Sequence, residues 1–263
     1  MPDKIPATVE ILTLNNAATL RQALESVKAF ADILILDGGS TDETLAIAAS
    51  YGARVLPQFD TKEPNQRISD FAKVRNRGLF AAQYPWFLFL DSDEYFTTDL
   101  VEEVERIIKS QNPAAWVWYV PRKYVLKGRI IDCAMTYPTL QTRFFHRGHV
   151  ECFEKAVHER IIPKKGESIR ELKNYMCVPL PDISLQKEKW RHYLKIENDR
   201  MDADTRLDIL RKTKNTVKVT ILYSLRFFRS LLFCSGNRMP FGYEWARQKY
   251  NLQLVGLLLK HLL

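Results

Sequence analysis

Five apolar residues followed directly by four polar ones, residues 86–90 (WFLFL) and 91–94 (DSDE), constrain the fold more than any other part of this sequence. An apolar run without polar alternation is typical of a strand that is covered on both faces, as in parallel sheets. Ligands of open α/β sheets bind beyond the carboxyl ends of the strands. The sequence therefore predicts a buried strand that brings Asp91 and Asp93 to a binding edge.

Strand-like and helical segments alternate before this point, which predicts the α/β class with a doubly wound, mostly parallel sheet. Apolar runs predict strands over residues 7–14, 33–36 and 53–56. Helical spacing predicts helices over residues 15–30, from a capping box at residues 40–43 to about Tyr51 with Gly52 as its end, and over residues 68–82.

Length and cysteine usage bound the class of protein. The 263 residues suffice for one large α/β domain with an appendage or for two small domains. The four cysteines, Cys133, Cys152, Cys177 and Cys234, lie far apart without zinc-like spacing, so we predict reduced thiols. No apolar signal segment is expected before the first strand. Both features predict a cytoplasmic protein.

The charge is distributed unevenly along the chain. Residues 1–131 contain 15 Lys and Arg against 17 Asp and Glu, whereas residues 205–263 contain 11 against 2. Residues 217–233 are apolar over a broad surface that Lys218, Arg226 and Arg229 interrupt, and they are too charged to span a membrane. An interfacial helix on anionic headgroups is one interpretation, and packing on the catalytic domain is the other.

Asp91 and Asp93 are candidate metal ligands. Two residues apart in an extended chain, their side chains lean to the same side and offer the hard oxygen ligands that suit Mg²⁺ or Mn²⁺. The alternative is a solvated turn that caps the next helix. Asp37 ends a neighbouring predicted strand in the same way, and this favours a binding site.

Four motifs, in this order and spacing, resemble glycosyltransferase family 2 with its GT-A fold: Leu14-Asn15 after the first strand, and residues 37–42 (DGGSTD), 73–76 (KVRN) and 91–94 (DSDE). Within the family, the chain is most similar to the β-glycosyltransferases of lipopolysaccharide core and related surface-polysaccharide assembly. The resemblance implies that residues 1–182 form the GT-A domain, with a nucleotide-sugar-binding half (1–112) and an acceptor half (113–182). Residues 183–263 would form a basic, amphipathic helical extension.

The resemblance also implies roles for single residues on the donor side. Leu14, Asn15 and Asp37 would hold the nucleoside, with the Asp37 carboxylate accepting a hydrogen bond from the base. Gly38 stands where the family often has a second acid, which leaves base selectivity open, and residues 38–39 are expected to form a tight turn with positive φ.

Further roles concern the diphosphate and the metal. By the resemblance, Arg75 would face the diphosphate, Asp91 would lie near the ribose and the metal, and Asp93 would bind the metal directly as part of an Asp-x-Asp element. Lys73 is a candidate for substrate binding, or else a solvated helix lysine.

An inverting transfer needs a base for the acceptor hydroxyl. Glu159 is the candidate, because residues 155–160 (KAVHER) resemble the His-Glu element that follows the Arg-Phe-Phe segment of these transferases, here residues 143–145. Without the resemblance, a salt bridge to Arg160 or a surface position would explain Glu159. His158 is expected to orient the acceptor or to pack.

These features predict an inverting, metal-dependent glycosyltransferase that uses a nucleoside diphosphate sugar, by resemblance UDP-linked. Its acceptor would be lipid-linked or polysaccharide, at the inner face of the cytoplasmic membrane. A nucleotidyltransferase of similar fold would need a glycine-rich, basic loop after the first strand, where residues 14–17 are LNNA. A non-catalytic, membrane-peripheral scaffold is the other alternative. A Rossmann dehydrogenase is excluded because no Gly-x-Gly-x-x-Gly follows that strand, and no nucleic-acid-binding module is recognisable.

Overall fold

The structure, a computed structural model, describes residues 4–155, 159–201 and 204–262, which divide into two compact units. The first unit contains the described residues up to Arg122 and residues 140–178. The second contains residues 123–139 and the described residues from Pro179 onward. Residues 123–139, which the sequence analysis assigned to the acceptor half, thus belong to the same unit as the C-terminal helices.

The strands are, in chain order, β1 (Ile5–Thr13), β2 (Phe30–Asp37), β3 (Arg54–Pro57), β4 (Trp86–Asp91), β5 (Tyr95–Phe96), β6 (Val117–Leu126), β7 (Arg129–Ile130), β8 (Thr139–His146), β9 (Val150–Glu154), β10 (Arg160–Pro163), β11 (Ile169–Glu171) and β12 (Met176–Pro179). The α-helices are α1 (Ala17–Val27), α2 (Thr44–Ser50), α3 (Phe71–Ala81), α4 (Thr98–Lys109), α5 (Ile183–Met201), α6 (Arg206–Phe233) and α7 (Phe241–Lys260).

A mixed, mostly parallel sheet forms the centre of the first unit, and it confirms the predicted fold class. Strands β3, β2, β1 and β4 run side by side in this order and are parallel, and β8 joins β4 in the antiparallel sense. The first five residues of β4 are buried, as expected for a strand between two layers. The sheet then continues through β6, β12 and β5.

The helix ends follow the predictions in part. Gly52, at φ +67°, follows α2 in the left-handed conformation that commonly ends helices. The predicted capping box at residues 40–43 is wrong, because α2 begins only at Thr44 and its N-cap, Glu43, makes no side-chain capping bond. The Ser40 hydroxyl donates to Asp37 instead.

Helix α3 packs closely against β1 because a glycine, Gly78, stands at the contact. A Cβ built on Gly78 would stand 1.6 Å from Oε2 of Glu10, so no larger residue fits without displacing that side chain. The helix begins at the N-cap Asp70, whose side chain accepts a hydrogen bond from the Lys73 backbone N–H. The Asp70 cap therefore fixes where α3 begins, and Gly78 fixes which face of the helix contacts β1.

The second unit consists of α5, α6, α7 and the hairpin that β7 forms with the end of β6. Helix α7 packs against both α5 and α6. Helix α6 begins with a complete capping box in which Thr205 and Asp208 bond reciprocally. Within the described residues, no helix is long and apolar enough to cross a membrane.

A disulfide in the second unit corrects the prediction of reduced thiols. Cys133 and Cys234, 101 residues apart, are bonded, whereas Cys152 and Cys177 form no disulfide. The two cysteines are too far apart in the sequence for their spacing to indicate a pair. The pairing depends on the chain after α6 returning to the segment after β7, where the Met239 backbone N–H donates to the Cys133 carbonyl. Reduced thiols therefore no longer support the expectation of a cytoplasmic location.

Candidate active site

Three parallel strands end together at one edge of the sheet. In the register of the sheet, Asp37 at the end of β2 pairs with Thr13 of β1, and Asp91 at the end of β4 pairs with Leu12. The strand β1 therefore separates the two aspartates. The sequence prediction that both reach the carboxyl edge is met by this register, and such edges are where open α/β sheets bind ligands.

The Asp37 carboxylate organises the loop that follows β2. Its Oδ1 accepts hydrogen bonds from the Thr13 and Ser40 hydroxyls, and its Oδ2 accepts from the backbone N–H groups of Gly39 and Ser40. These four donors match the usual acceptor capacity of a carboxylate. The geometry therefore favours a role in shaping the loop, and the base contact implied for Asp37 stays a prediction.

Glycines 38 and 39 have different functions in this loop. Gly39 adopts φ +84°, which fits the predicted positive-φ turn. Gly38 is needed for a close approach instead, because a Cβ there would lie 2.6 Å from the Gln66 carbonyl oxygen. Both glycines bring the loop against residues 63–66, to which it is joined by backbone hydrogen bonds.

Asn15 connects this loop to the end of β1. Its Oδ1 accepts from the Thr41 backbone N–H and its Nδ2 donates to the Asn65 side chain, while its backbone adopts φ +53°. Leu14 lies next to the loop, with its Cδ1 3.3 Å from a Cβ built on Gly38.

A pocket of about 240 Å³ opens beside the loop, and we call it the strand-end pocket. Asp37, Gly38 and Gly39 form one wall, and the remaining lining residues are Leu45, Val55, Pro57, Phe59, Thr61, Lys62, Glu63 and Gln66. An apolar wall combined with backbone and side-chain polar groups is typical of sites for small molecules.

Arg75 is the centre of a buried ionic cluster at the same edge. Its side chain is 1% exposed, and its Nη1, Nη2 and Nε lie 2.8, 2.6 and 3.4 Å from carboxylate oxygens of Glu10, Asp91 and Glu159. The cluster therefore joins two predicted site residues, Asp91 and Glu159, through a third. With its nitrogens occupied and its side chain enclosed, Arg75 is placed to position carboxylates, and the diphosphate contact implied for it stays a prediction.

Arg143 holds the other side of Asp91. Its Nη2 lies 3.2 Å from Asp91 Oδ2, and its Nη1 lies 3.3 Å from Glu94 Oε2. Arg122 forms a further salt bridge with Glu94. We use the name arginine–carboxylate cluster for this set: Glu10, Arg75, Asp91, Glu94, Arg122, Arg143 and Glu159.

One aromatic ring contacts both central arginines. The guanidinium carbons of Arg75 and Arg143 each lie 4.5 Å from the ring centroid of Phe89, the residue two before Asp91 on β4. Cation–π attraction of this kind strengthens when the groups are removed from water, as both guanidiniums are here. The aromatic strand predicted from the sequence thus takes part in fixing the arginines.

Burial and pairing shift the ionisation of the cluster in opposite directions. Burial raises the pKa of Glu10 to about 7, against the lowering effect of Arg75. Burial also raises the pKa of Glu94. For Asp91, burial would raise the pKa, but Arg143 and Arg75 outweigh it and hold the pKa well below its usual range. Asp91 is therefore anionic at neutral pH.

Asp93 lies on the exposed side of the turn after β4, two residues beyond Asp91, whose side chain keeps 44% of its surface accessible. Among the described residues, no group of three or more His, Cys, Asp or Glu side chains forms a preassembled metal site. One or two carboxylates combined with substrate phosphates are nevertheless the usual Mg²⁺ site in proteins that bind phosphate-bearing substrates. Asp91 and Asp93 fit that donor set.

The remaining predicted residues are placed as follows. Lys73 is exposed on α3, so both interpretations made from the sequence stay open. His158 lies outside the described residues. The Glu159 side chain is 17% exposed and lies beside Arg75, whereas the predicted alternative was a salt bridge with Arg160.

Four members of the cluster were not assigned roles from the sequence: Glu10, Glu94, Arg122 and Arg143. One signal could have identified Glu10, which is the charged residue inside an otherwise uncharged stretch, residues 5–14. A charge within a buried strand is costly unless it is paired. The pairing itself is long-range, since 65 residues separate Glu10 from Arg75.

A mostly parallel sheet whose carboxyl edge combines a small-molecule pocket with a buried arginine–carboxylate cluster defines an α/β protein with a ligand-binding edge. The sequence model of the family described as glycosyl transferase family 2 matches residues 8–155, and the chain belongs to that family. The matched region includes most of β1, all of β2 to β4, the strand-end pocket and all of the cluster except Glu159.

Individual proteins are similar to parts of the chain. An uncharacterized glycosyltransferase of Rickettsia bellii is 34% identical over 110 residues, 41% of this chain and 35% of the relative. The lipopolysaccharide core biosynthesis glycosyltransferase LpsC of Rhizobium meliloti is 28% identical over 165 residues, 62% of this chain and 60% of the relative. The chain therefore spans less than two thirds of either relative. Among solved structures, S. aureus TarS 1-349 in complex with UDP-GlcNAc gives a TM-score of 0.48 at 16% identity, covering 98% of this chain and 81% of that chain.

Proposed function

We propose that this family 2 glycosyltransferase is an inverting, divalent-cation-dependent enzyme that moves a sugar from a UDP-linked donor to an acceptor of cell-envelope glycan synthesis. The observation that carries the proposal is that one buried guanidinium, that of Arg75, lies within 3.4 Å of both the Asp91 and the Glu159 carboxylates. These are the two residues expected to serve the leaving group and the acceptor, and they belong to segments 68 positions apart in the sequence.

The donor nucleoside would occupy the strand-end pocket. The apolar side chains Leu45, Val55 and Phe59 offer a surface for the base, and the loop held by Asp37 and Asn15 borders it. A sugar diphosphate attached to that nucleoside would extend along the carboxyl edge toward Asp91 and Asp93. A lipopolysaccharide core enzyme among the relatives supports an envelope glycan as the product.

A divalent cation bound by Asp93 and Asp91 would neutralise charge that develops on the departing diphosphate. Arg75 and Arg143 fix the Asp91 carboxylate from two sides and keep it ionised. In this scheme Arg75 is a positioning residue, since its nitrogens contact protein carboxylates.

Glu159 would act as the base. Its carboxylate would accept the proton of an acceptor hydroxyl while the hydroxyl oxygen bonds to the anomeric carbon. The bond from that carbon to the diphosphate oxygen breaks on the opposite face, so the configuration inverts. Contact with Arg75 holds the Glu159 carboxylate in place, and the partial exposure of Glu159 leaves it open to an acceptor.

Two isosteric variants test these roles separately. We expect Glu159→Gln to lower kcat for transfer by about 10²-fold or more, while nucleotide binding is retained. Asp93→Asn should remove the stimulation of nucleotide binding by Mn²⁺ as well as transfer. Glu154→Gln, an exposed carboxylate on β9, is the matched control. Wild-type transfer rates in both site variants would contradict the proposal, and so would retention of anomeric configuration in the product, determined by NMR.

We also propose that the enzyme works at an anionic membrane surface, as lipid-linked acceptors require. Exposed apolar residues at helical spacing form a stripe along α6: Ile221, Leu225, Phe228 and Leu232, each 56% exposed or more. Lys218 and Arg229 are exposed on the same helix. Apolar residues combined with cations on one helix are typical of interfacial helices. The cytoplasmic face of the membrane stays the predicted location.

Vesicle flotation tests this surface. We expect the wild-type chain to float with vesicles of phosphatidylglycerol and phosphatidylcholine at low salt and to be released as salt increases. Leu225→Ser/Leu232→Ser should reduce flotation, whereas Phe80→Ser, which removes a 72% exposed apolar residue on α3, should not. Equal flotation of all three proteins would refute the assignment of the stripe.

A further inference from the structure

Two pockets of opposite character adjoin within the second unit. The first, which we call the basic pocket, lies between α5 and α7 and has a volume of about 560 Å³. The second, the apolar pocket, lies between α6 and α7 and has a volume of about 220 Å³. Trp245, 53% exposed, lines both pockets and forms their common wall. Neither pocket contains a residue of the proposed active site.

The basic pocket suits a phosphate. Lys187 and Arg191 lie one turn apart on α5, and Lys249 faces them from α7. No carboxylate lines this pocket, and within the described residues none of these three cations forms an ion pair. Arg191 offers the planar fork that binds phosphate oxygens in pairs, and the lysines add point charges.

The start of α5 reinforces this preference. Ile183 and Ser184, the first two residues of the helix, also line the basic pocket. Helix N-termini carry partial positive charge and backbone N–H groups that favour anions. Trp190 and Tyr250 supply aromatic surface in the same pocket, so a group larger than phosphate can be accommodated beside the cations.

The apolar pocket suits a hydrocarbon chain. Phe227 and Phe228 of α6 and Phe241 of α7 form its walls together with Trp245, and Phe241 and Trp245 stack at 6.5 Å between ring centroids. Its one carboxyl group, that of Glu244, is 5% exposed and accepts a hydrogen bond from the Met135 backbone N–H. That carboxyl disfavours a phosphate here, so the two pockets separate charge from hydrocarbon.

We infer that the two pockets form one site for a phosphate-bearing lipid, with the phosphate against Lys187, Arg191 and Lys249 and the hydrocarbon chain beside Trp245 and the phenylalanines. Clusters of Lys and Arg on helices at the membrane surface bind anionic lipid headgroups, as do basic pockets between transmembrane helices. The site goes beyond the proposed transferase chemistry, since it is a stoichiometric lipid site in the second unit, whatever reaction the first unit performs.

Binding of single-chain lipids below their micelle concentration tests the inference by calorimetry. We expect lysophosphatidylglycerol to bind the full chain with a stoichiometry near one. Glycerol phosphate lacks the chain, and the headgroup of lysophosphatidylcholine has no net charge. Each should bind with an affinity that is lower by about tenfold or more. Lys187→Ala/Arg191→Ala should weaken lysophosphatidylglycerol binding by about tenfold or more, the effect of losing charge-assisted hydrogen bonds. Trp245→Ala should weaken it as well.

Lys189→Ala/Lys195→Ala is the matched control, because it removes the same charge from exposed positions of α5 that do not line the basic pocket. Unchanged affinity in Lys187→Ala/Arg191→Ala would overturn the phosphate site. Equal affinity for the two lysolipids would mean that only the hydrocarbon chain is recognised. Equal affinity for glycerol phosphate and lysophosphatidylglycerol would mean that the apolar pocket does not take part. Either result overturns the single-lipid site. Hydrolysis of nucleotide-sugars should be the same in all variants, which separates failure here from failure of the transferase proposal.

Discussion

Replacement of Arg75 by methionine would remove the guanidinium that three carboxylates share and keep an unbranched, uncharged side chain. Glu10, Asp91 and Glu159 come from β1, from the end of β4 and from the segment before β10, so the single change releases contacts among three parts of the first unit. Removing one partner of a buried ion pair costs about 3–5 kcal/mol of unfolding free energy. Because the Asp91 side chain is 44% exposed, its pair with Arg75 contributes little to this loss. We expect Arg75→Met to lower the unfolding free energy by about 3 kcal/mol at pH 8.

The loss should depend on pH in a direction that the structure fixes. Glu10 has a pKa of about 7, raised by burial and opposed by Arg75, so without Arg75 its pKa rises further. At pH 5 Glu10 is protonated in both proteins and contributes little to the difference. Above pH 7 it is ionised and paired only in the wild type. The destabilisation should therefore grow as pH rises through about 7, from about 1 kcal/mol at pH 5.

Urea unfolding followed by tryptophan fluorescence at pH 5 and pH 8 measures this difference. Arg77→Met is the control, since Arg77 lies on the same helix and pairs with Asp60, which is 87% exposed. That surface pair should contribute within about 1 kcal/mol at either pH. A loss for Arg75→Met that is no larger than for Arg77→Met, or that is the same at both pH values, would refute the reasoning.

Three further outcomes follow from other parts of the molecule. Burial raises the pKa of Glu244 to about 7 from 4.5, so its contribution to stability is present below about pH 4.5 and lost by pH 7. The wild type should therefore lose about 3 kcal/mol of unfolding free energy from this group between pH 4.5 and pH 7, and Glu244→Gln should not show that loss in urea unfolding at the two pH values. Cys133→Ser should lower stability by up to about 4–5 kcal/mol, since the Cys133–Cys234 bond closes a loop of about 100 residues, and a thiol reagent should find two free thiols rather than four in the unfolded, unreduced wild type. Gly78→Ala should lower the melting temperature by displacing Glu10, an effect that Gly256→Ala, with open space at its Cβ, should not reproduce.

Local patterns predicted the parallel half of the sheet well, and the reason is physical. An uninterrupted apolar run such as that of β4 has few alternatives to a central strand, and the acids at its end mark the edge of the sheet. The helix after Asp37 was predicted to begin too early because Ser40 has two possible partners. Its hydroxyl donates to the Asp37 carboxylate in the loop, and the capping role that spacing suggested is not used.

Long-range pairing explains what the sequence did not reveal. Nothing local marks Arg143 as a partner of Asp91, 52 residues before it, or Cys133 as a partner of Cys234. Glu94 is part of the DSDE motif, but nothing in that motif indicates that it is 2% exposed and held by Arg122 and Arg143. Which charges neutralise each other is decided by packing, and a single sequence does not encode that packing in any short window.

The charge balance of the arginine–carboxylate cluster has a consequence for the proposed chemistry. Its three arginines pair with four carboxylates, and burial raises the pKa of two of them, Glu10 and Glu94. Positive and negative charges therefore nearly cancel inside the cluster, and its arginines are already engaged by protein carboxylates. In the proposed reaction, a diphosphate at this edge would gain little from these arginines, and another group would have to neutralise its charge. Asp93, on the exposed side of the turn after β4, is where a cation could supply that neutralisation, and this is the physical reason to expect a divalent cation in the reaction.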